Sequence, residues 1–193
     1  TTIIDLGANV DCKPSQLLSF GALGVSFERF YHGIEDPRVG LLSVGSEDGK
    51  GNRQVQEAFP LFRSSGLNFI GNVEAHEIFA SKADVLVCDG FVGNILLKYT
   101  EGLAESAARY LANALGPDNP GVQAIAGLAG AAEVGGGPLF GVNGVVIAGH
   151  GRSPVKSIAG SIDLARQALT WGLVDTMRDD LSRVLARAEG SSG

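Results

Sequence analysis

The chain has 193 residues, of which 45% are hydrophobic and 19% are charged, so it can bury the core of one sizeable domain and is not a disordered chain. Its formal net charge of −6 excludes a general nucleic-acid-binding role, which requires a basic surface. The two cysteines belong to no motif, and neither a signal peptide nor a run of about 18 apolar residues is visible, so we expect a cytoplasmic protein from a reducing compartment.

Strands alternate with helices along the first part of the chain. The predicted strands cover residues 2–6, 38–44, 67–70 and 85–87, and the predicted helices cover 14–30, 53–64, 75–80 and 91–114. Strands that alternate with helices are typical of a parallel sheet with helices on both faces. The sequence therefore predicts an α/β fold with three layers, αβα, around a mostly parallel sheet.

The second part of the chain is less regular. Residues 122–132 are rich in Ala, Gly and Leu and contain no charged side chain. This stretch is either a packed helix or an exposed apolar hairpin for a partner subunit or a membrane surface, and we favour packing or a dimer contact. A strand is predicted at 144–148, and a helix at 154–188 with a break near Trp171-Gly172.

We expect one α/β domain over residues 1–189, with 116–137 as a hairpin excursion and 190–193 as a flexible tail.

Polar, glycine-containing turns follow the predicted strands at 7–13, 45–52, 71–74, 89–94 and 149–153. The carboxyl ends of parallel strands lie on one edge of the sheet, where ligands bind in open α/β folds. A helix that begins at such an edge can bind an anion with its free amides, so we expect the amides of 90–93 and 151–153 to do so. The predicted phosphate- or substrate-binding residues are Asn9, Asp11, Lys50, Asn52, Asn72, Glu74, Gly90, Gly93, Asn94, Gly151, Arg152 and Ser153.

Each of these residues also has a purely structural interpretation. Asn and Asp in loops commonly form turns and helix caps, Cys88 is expected to be a small core residue, and His150 could be a hydrogen-bonded structural histidine. The segment 45–50 falls one residue short of a P-loop, and no G-x-G-x-x-G, C-x-x-C or complete zinc helix is present. We therefore predict neither a cofactor nor a metal.

Several longer segments resemble a known family. They are residues 5–14, 37–45, 50–52, 68–74, 83–98, 136–147 and 150–151. Together, and in this order, they closely resemble the bacterial phosphate acyltransferases of phospholipid synthesis, which are acyl-[acyl-carrier-protein]:phosphate acyltransferases. The Asp-Ala-Met-Gly-Gly-Asp motif of the family's N-terminal α/β segment does not occur here, so we expect the chain to correspond to the C-terminal part of such an enzyme.

The resemblance implies a fold like that of isocitrate and isopropylmalate dehydrogenases. It implies that inorganic phosphate attacks the thioester of a long-chain acyl-carrier protein, giving acyl phosphate and free carrier. It also implies a homodimer that associates peripherally with the inner face of the cell membrane through a helical hairpin, although 116–137 lacks the basic amphipathic face that favours such contact.

This chemistry suggests three catalytic residues, His150, Lys98 and Asp89. His150 would protonate the departing thiolate, and Lys98, Arg152 or Lys50 would supply positive charge. Asp89 would either orient a lysine or accept a proton from phosphate. Two alternatives stay open: a short-chain phosphate acetyl- or butyryltransferase that uses coenzyme A, and a non-catalytic dimerisation or binding fragment.

Overall fold

The computed structural model describes residues 1–131, 137–149 and 154–190, including the side chains of all but 128–131. It contains two compact units. The first unit consists of Thr1–Asn94 and the segment from Trp171 onward, and the second consists of Ile95–Thr170. The prediction of a single domain stays a prediction.

The described strands and helices follow the predicted order, with one additional strand at Gly137–Leu139. The strands are β1 (Thr2–Ile4), β2 (Val39–Ser43), β3 (Phe69–Glu74), β4 (Val85–Val87), β5 (Gly137–Leu139) and β6 (Val146–Ala148). The α-helices are α1 (Pro14–Tyr31), α2 (Arg53–Ser64), α3 (Gly90–Leu115), α4 (Pro120–Ala131), α5 (Val155–Trp171) and α6 (Leu173–Gly190), and a 3₁₀ helix covers Ala75–Ala80. The predicted break of the last helix is confirmed, since Gly172 separates α5 from α6.

A four-stranded parallel sheet forms the centre of the first unit, with the strand order β1-β4-β2-β3. All three residues of β4 are buried, because alternate side chains enter the cores on both faces of the sheet. The predicted α/β class with a mostly parallel sheet is confirmed.

The larger core lies between one face of the sheet and the helices α1, α2 and α6. It includes Leu17 of α1, Phe62 of α2 and Val184 of α6, which pack with Leu41 and Val85 of the sheet. On the other face a smaller cluster contains Val73 and Leu86, with Ile78 of the 3₁₀ helix beside it.

Strand β3 differs from its prediction. Residues 71–74 were expected to form a loop, but the strand runs through Gly71 to Glu74 and pairs with β2. The pairing shifts register between Val39 and Gly40 and then continues without interruption from Gly71 to Glu74. Asn72 and Glu74 are therefore strand residues.

The predicted strand 144–148 forms as β6 but belongs to another sheet. It pairs antiparallel with β5, within the second unit. A short connection joins Leu139 to Val146, and two strands joined this way can form a hairpin, whereas parallel strands need a crossover of a dozen or more residues. The prediction that the turn 149–153 follows a strand of the parallel sheet is therefore wrong.

Helix α4 accounts for most of the predicted hairpin region 116–137, and it contains no charged residue. Among the described residues, the structure has no helix that is both long and apolar enough to cross a membrane.

Candidate functional site

The turn after β1 is organised by the carboxylate of Asp5. This carboxylate is buried and accepts hydrogen bonds from the amides of Gly7, Ala8 and Asn9 at 2.8–2.9 Å, and a fourth from the Asn9 side chain at 2.9 Å. Burial raises the pKa of Asp5, but these hydrogen bonds outweigh it, so the pKa lies below its usual value. The turn is therefore folded around an ionised carboxylate.

The same turn packs directly on the first residues of α3. The Gly90 amide donates to the Asn9 carbonyl at 2.8 Å. A β-carbon on Gly90 would lie 2.7 Å from that oxygen, and one on Gly93 would overlap the carbonyl oxygen of Asp5. Both glycines are needed here for close approach between two backbones.

Most amides at the start of α3 already have partners inside the chain. Gly90 donates to Asn9, Val92 donates to the Asp89 carboxylate at 2.8 Å, and Gly93 donates to the Asp89 carbonyl at 2.9 Å. Asp89 thus acts as the N-cap of α3. The predicted anion site at 90–93 would therefore have to form although these three amides already donate hydrogen bonds within the chain.

Asn72 holds the turn that follows β2. Its side-chain amide donates to the Glu47 carbonyl at 2.8 Å and, less closely, to the Lys50 carbonyl at 3.4 Å. Its own oxygen and the Ser43 hydroxyl are buried without a hydrogen-bond partner in the described part of the chain. These two oxygen atoms lie under the turn 45–52, where a water molecule or a ligand could form hydrogen bonds with them.

A further side chain joins the turns of β1 and β2. Gln54, in the first turn of α2, donates to the Cys12 carbonyl at 2.7 Å. Asn52 caps the same helix by accepting from the Val55 amide at 2.9 Å. Since β1, β2 and β4 are parallel, the turns 7–13, 45–52 and 89–94 lie on one edge of the sheet, as predicted.

Three of the predicted site residues on this edge are exposed and have no side-chain hydrogen bond or ion pair with any described residue. They are Asp11, Lys50 and Asn94. A β-carbon on Gly7 would lie 3.5 Å from the Asn94 side chain, so Asn94 extends over the turn of β1. Glu74, by contrast, has His76 at 3.8 Å.

The remaining predicted residues belong to the second unit or are not described by the structure. Lys98 belongs to the second unit, where it is exposed and forms an ion pair with Glu101 at 2.8 Å. His150, Gly151, Arg152 and Ser153 lie outside the described residues.

Neither cysteine has the environment of a nucleophile. Cys88 is buried, and burial together with Asp89 and Asp5 raises its pKa to about 12. Burial is also the main cause of the raised pKa of Cys12. A thiol with a raised pKa forms little thiolate at neutral pH, and Cys88 is confirmed as a core residue.

Two residues that organise this edge were not predicted. Asp5 is the first residue after β1, and its position directly before a Gly-containing turn is the signal that could have identified it. Gln54 gives no such signal, because its contact with Cys12 joins residues 42 positions apart.

Comparison with known proteins places most of this chain in a shared family. Residues 1–175 match the family model described as "Fatty acid synthesis protein". Three similar proteins are each named "Phosphate acyltransferase". The one from Desulforudis audaxviator is 41% identical over 95% of this chain and 58% of its own length. The one from Syntrophomonas wolfei is 42% identical, over 95% and 57%. The one from Pelotomaculum thermopropionicum is 38% identical, over 100% and 59%. The chain thus spans less than two thirds of the length of these relatives.

Proposed function

Because this chain belongs to the family of fatty acid synthesis proteins, we propose that the protein carrying it transfers an acyl group to inorganic phosphate. The observation that carries this proposal is its similarity, over 95% or more of the chain, to several proteins named phosphate acyltransferase. We further propose that the donor is a long-chain acyl-carrier protein and that the acyl phosphate is used for phospholipid synthesis.

The reaction requires positioning more than a protein nucleophile. A phosphate oxygen attacks the thioester carbonyl carbon, the carbon–sulfur bond breaks, and the departing thiolate takes up a proton. The protein must hold phosphate beside the thioester and stabilise the oxyanion of the tetrahedral intermediate. The raised pKa values of Cys12 and Cys88 agree with a mechanism that does not pass through an acyl-cysteine.

Within the first unit, Lys50 and Asn94 are the best candidates for contact with phosphate. Both are exposed at the carboxyl edge of the sheet and neither side chain is paired with a described residue. An ammonium group supplies charge, and a side-chain amide supplies a neutral donor. Asp11 would repel phosphate, and its carboxylate suits an N–H donor of the thioester arm.

The roles proposed for the other residues rest on the resemblance to phosphate acyltransferases. His150 would protonate the thiolate, Lys98 would supply positive charge, and Gly151, Arg152 and Ser153 would bind phosphate. Asp89 already caps α3, which supports a positioning role for it in addition to any proton transfer.

We also propose a homodimer and a dehydrogenase-like arrangement of the complete sheet. The dimer is supported by apolar side chains of α5 that are exposed in this chain, with Val155 84% and Ile162 66% exposed. The uncharged helix α4 suits contact with a partner subunit, and the proposed peripheral contact with the membrane would use the same region.

The experiment is a turnover assay of the protein that carries this chain, with acyl phosphate trapped by hydroxylamine. Four donors are compared, with and without phosphate: palmitoyl-carrier protein, palmitoyl-coenzyme A, butyryl-coenzyme A and acetyl-coenzyme A. We expect phosphate-dependent acyl hydroxamate, formed fastest from the palmitoyl-carrier protein.

The alternatives give different results in this assay. Product from only the acetyl or butyryl donors would identify a short-chain, coenzyme A-dependent enzyme. Thiol release without phosphate would identify a hydrolase, and the absence of product with every donor would indicate a non-catalytic protein.

A further inference from the structure

The turn that carries Lys50 is attached to strand β3 by a buried side-chain amide. Asn72 is 2% exposed and donates through Nδ2 to the carbonyl oxygen of Glu47 at 2.8 Å and to that of Lys50 at 3.4 Å. The backbone amide of Lys50 donates to the same Glu47 carbonyl at 3.0 Å. One buried side chain therefore contacts the main chain at both ends of the segment from Glu47 to Lys50.

A second side-chain amide contacts the same turn from helix α2. Gln56 is exposed, and its Nε2 group donates to the carbonyl oxygens of Gly49 and Gly51, each at 3.0 Å. These two glycines are the neighbours of Lys50 in the chain. Asn72 and Gln56 together thus form hydrogen bonds with the carbonyl of Lys50 and with those of the residues on either side of it.

The turn also packs closely at two glycines, and this sets the direction in which the Lys50 side chain begins. A β-carbon on Gly45 would lie 3.1 Å from Cγ of Lys50 and 3.5 Å from Cδ, so the aliphatic part of the lysine crosses Gly45. Gly51 has a φ of +109°, and a β-carbon there would lie 2.6 Å from the Val55 side chain. The backbone from which the Lys50 ammonium group extends is therefore fixed on both sides.

These contacts leave Asn72 poorly suited to bind phosphate by itself. Its amide nitrogen already donates to two carbonyl oxygens of the turn. Its remaining polar atom, Oδ1, is buried and is an acceptor, which does not bind the oxygen atoms of an ionised phosphate. The amide nitrogen of Gln56 is likewise used for carbonyls of the turn. Both residues can instead act on phosphate through the lysine that they hold in place.

We propose that Asn72 and Gln56 are positioning residues for the ammonium group of Lys50, an inference that rests on the phosphate contact proposed above for Lys50. A lysine on a mobile turn loses backbone and side-chain freedom when it binds an anion. Two amides that restrict the turn in advance reduce this loss, because part of the ordering is already complete before phosphate arrives. They lower the KM for phosphate and take no part in the chemical step.

The test is a double-mutant cycle on phosphate-dependent turnover in the protein that carries this chain. Gln56→Met is the main variant, because the side chain is exposed and methionine keeps its length without an N–H donor. We expect this variant, and also Asn72→Ala, to raise the KM for phosphate about threefold with little change in kcat. In the Lys50→Ala background neither variant should raise this KM further, because positioning acts only through the lysine.

Hydrogen exchange of the Lys50 amide is the second readout, since it does not depend on activity. We expect this amide to exchange faster in Gln56→Met and in Asn72→Ala than in the wild-type protein, because each variant loosens the turn. Asn68→Ala is the matched control. The Asn68 side-chain amide also donates to a main-chain carbonyl, that of Asp36 at 3.2 Å, and its loss should change neither the exchange rate nor the KM for phosphate.

The outcomes separate this inference from the proposed function. An equal rise in KM with and without Lys50 would overturn the positioning role, as would a Lys50 amide whose exchange neither variant alters. A KM that rises in Lys50→Ala but not in Gln56→Met or Asn72→Ala would also overturn it, while the proposed acyl transfer would stand. A wild-type protein without phosphate-dependent turnover would contradict the proposed function, and this inference with it.

Discussion

Asp5 provides the most direct test at the scale of a single residue. Its lowered pKa means that the unfolded chain binds a proton more readily at this site than the folded chain does. Asp5 therefore contributes stability above its unfolded pKa of about 4, and this contribution is lost as pH falls through the lower folded pKa. We predict that Asp5→Asn costs about 2 kcal/mol of unfolding free energy at neutral pH and progressively less below about pH 4.

Urea denaturation from about pH 7 to about pH 3 measures this difference. Asp84, whose pKa is lowered mainly by its hydrogen bond with Arg38, affects both proteins alike and cancels in the comparison. Asp11→Asn, a change of an exposed carboxylate in the same loop, is the control and should leave the free energy of unfolding at neutral pH nearly unchanged. A destabilisation by Asp5→Asn that stays constant over the whole range would contradict the assignment.

The two thiols should differ sharply in reactivity. Cys88 is buried with a pKa of about 12, whereas Cys12 is half-buried. We predict that Ellman's reagent at about pH 8 labels Cys12 slowly and leaves Cys88 unlabelled until the protein unfolds. The Cys12→Ser protein should show no native-state labelling, and rapid labelling of that variant would be inconsistent with a buried Cys88.

The sequence could predict where polar residues lie along the chain, but not which atoms they contact. Asn52 was predicted to bind substrate, with a turn or a helix cap as the structural alternative for any loop asparagine, and it caps α2. Asn72 was expected to lie in a loop, yet it is a strand residue whose amide reaches Glu47, 25 positions away. Such contacts depend on strand order and register, which local patterns do not determine.

At the scale of elements, the junction between β1 and α3 depends on Gly93. A β-carbon there would overlap the Asp5 carbonyl, and backbone atoms cannot move aside as a flexible side chain can. We predict that Gly93→Ala destabilises the protein by about 3 kcal/mol or more, in the range of severe overpacking. Thermal and chemical denaturation would measure it.

Gly102 is the matched control in the same helix, because a β-carbon there meets nothing within 4 Å. Gly102→Ala should stabilise the protein by up to about 1 kcal/mol, since alanine is the better helix former. Equal effects of the two substitutions on stability would show that the close approach at Gly93 does not determine the stability of the junction between β1 and α3.

Elements with a strong sequence pattern were predicted well, whereas a short strand was missed. The apolar run of β4 and the amphipathic helix α2 gave clear signals, and both formed as predicted. Strand β5 was missed because it is short and contains Gly137 and Pro138, which are uncommon in strands. It is defined as a strand by its pairing with β6. A short two-stranded hairpin has little sequence pattern of its own.

At the scale of the whole molecule, the exposed apolar face of α5 predicts self-association. Ile162 lies on this face with Ile158 and Leu169, which are 52% and 69% exposed. We predict a dimer for the wild-type protein, and a shift toward monomer for Ile162→Lys, because burial of an unpaired ammonium in an apolar interface is costly. Sedimentation velocity over a range of concentrations would measure both.

Gln167→Lys is the control for this change. Gln167 lies on the opposite side of α5 and donates to Asp163, with which a lysine could also pair. This variant should remain dimeric. A wild-type protein that sediments as a monomer at every concentration would rule out the proposed dimer.

The turnover of variants at the carboxyl edge of the sheet tests the central claim most directly. In the protein that carries this chain, Lys50→Ala and Asn94→Ala should each raise the KM for phosphate about tenfold, as expected for loss of one contact with a charged ligand. The controls are Lys82→Ala, which removes a lysine paired with Glu77, and Asn68→Ala, which removes an asparagine bonded to Asp36. Both lie near the opposite edge and should leave the KM for phosphate unchanged. A KM for phosphate that Lys50→Ala and Asn94→Ala do not alter would contradict the assignment of this edge to phosphate binding.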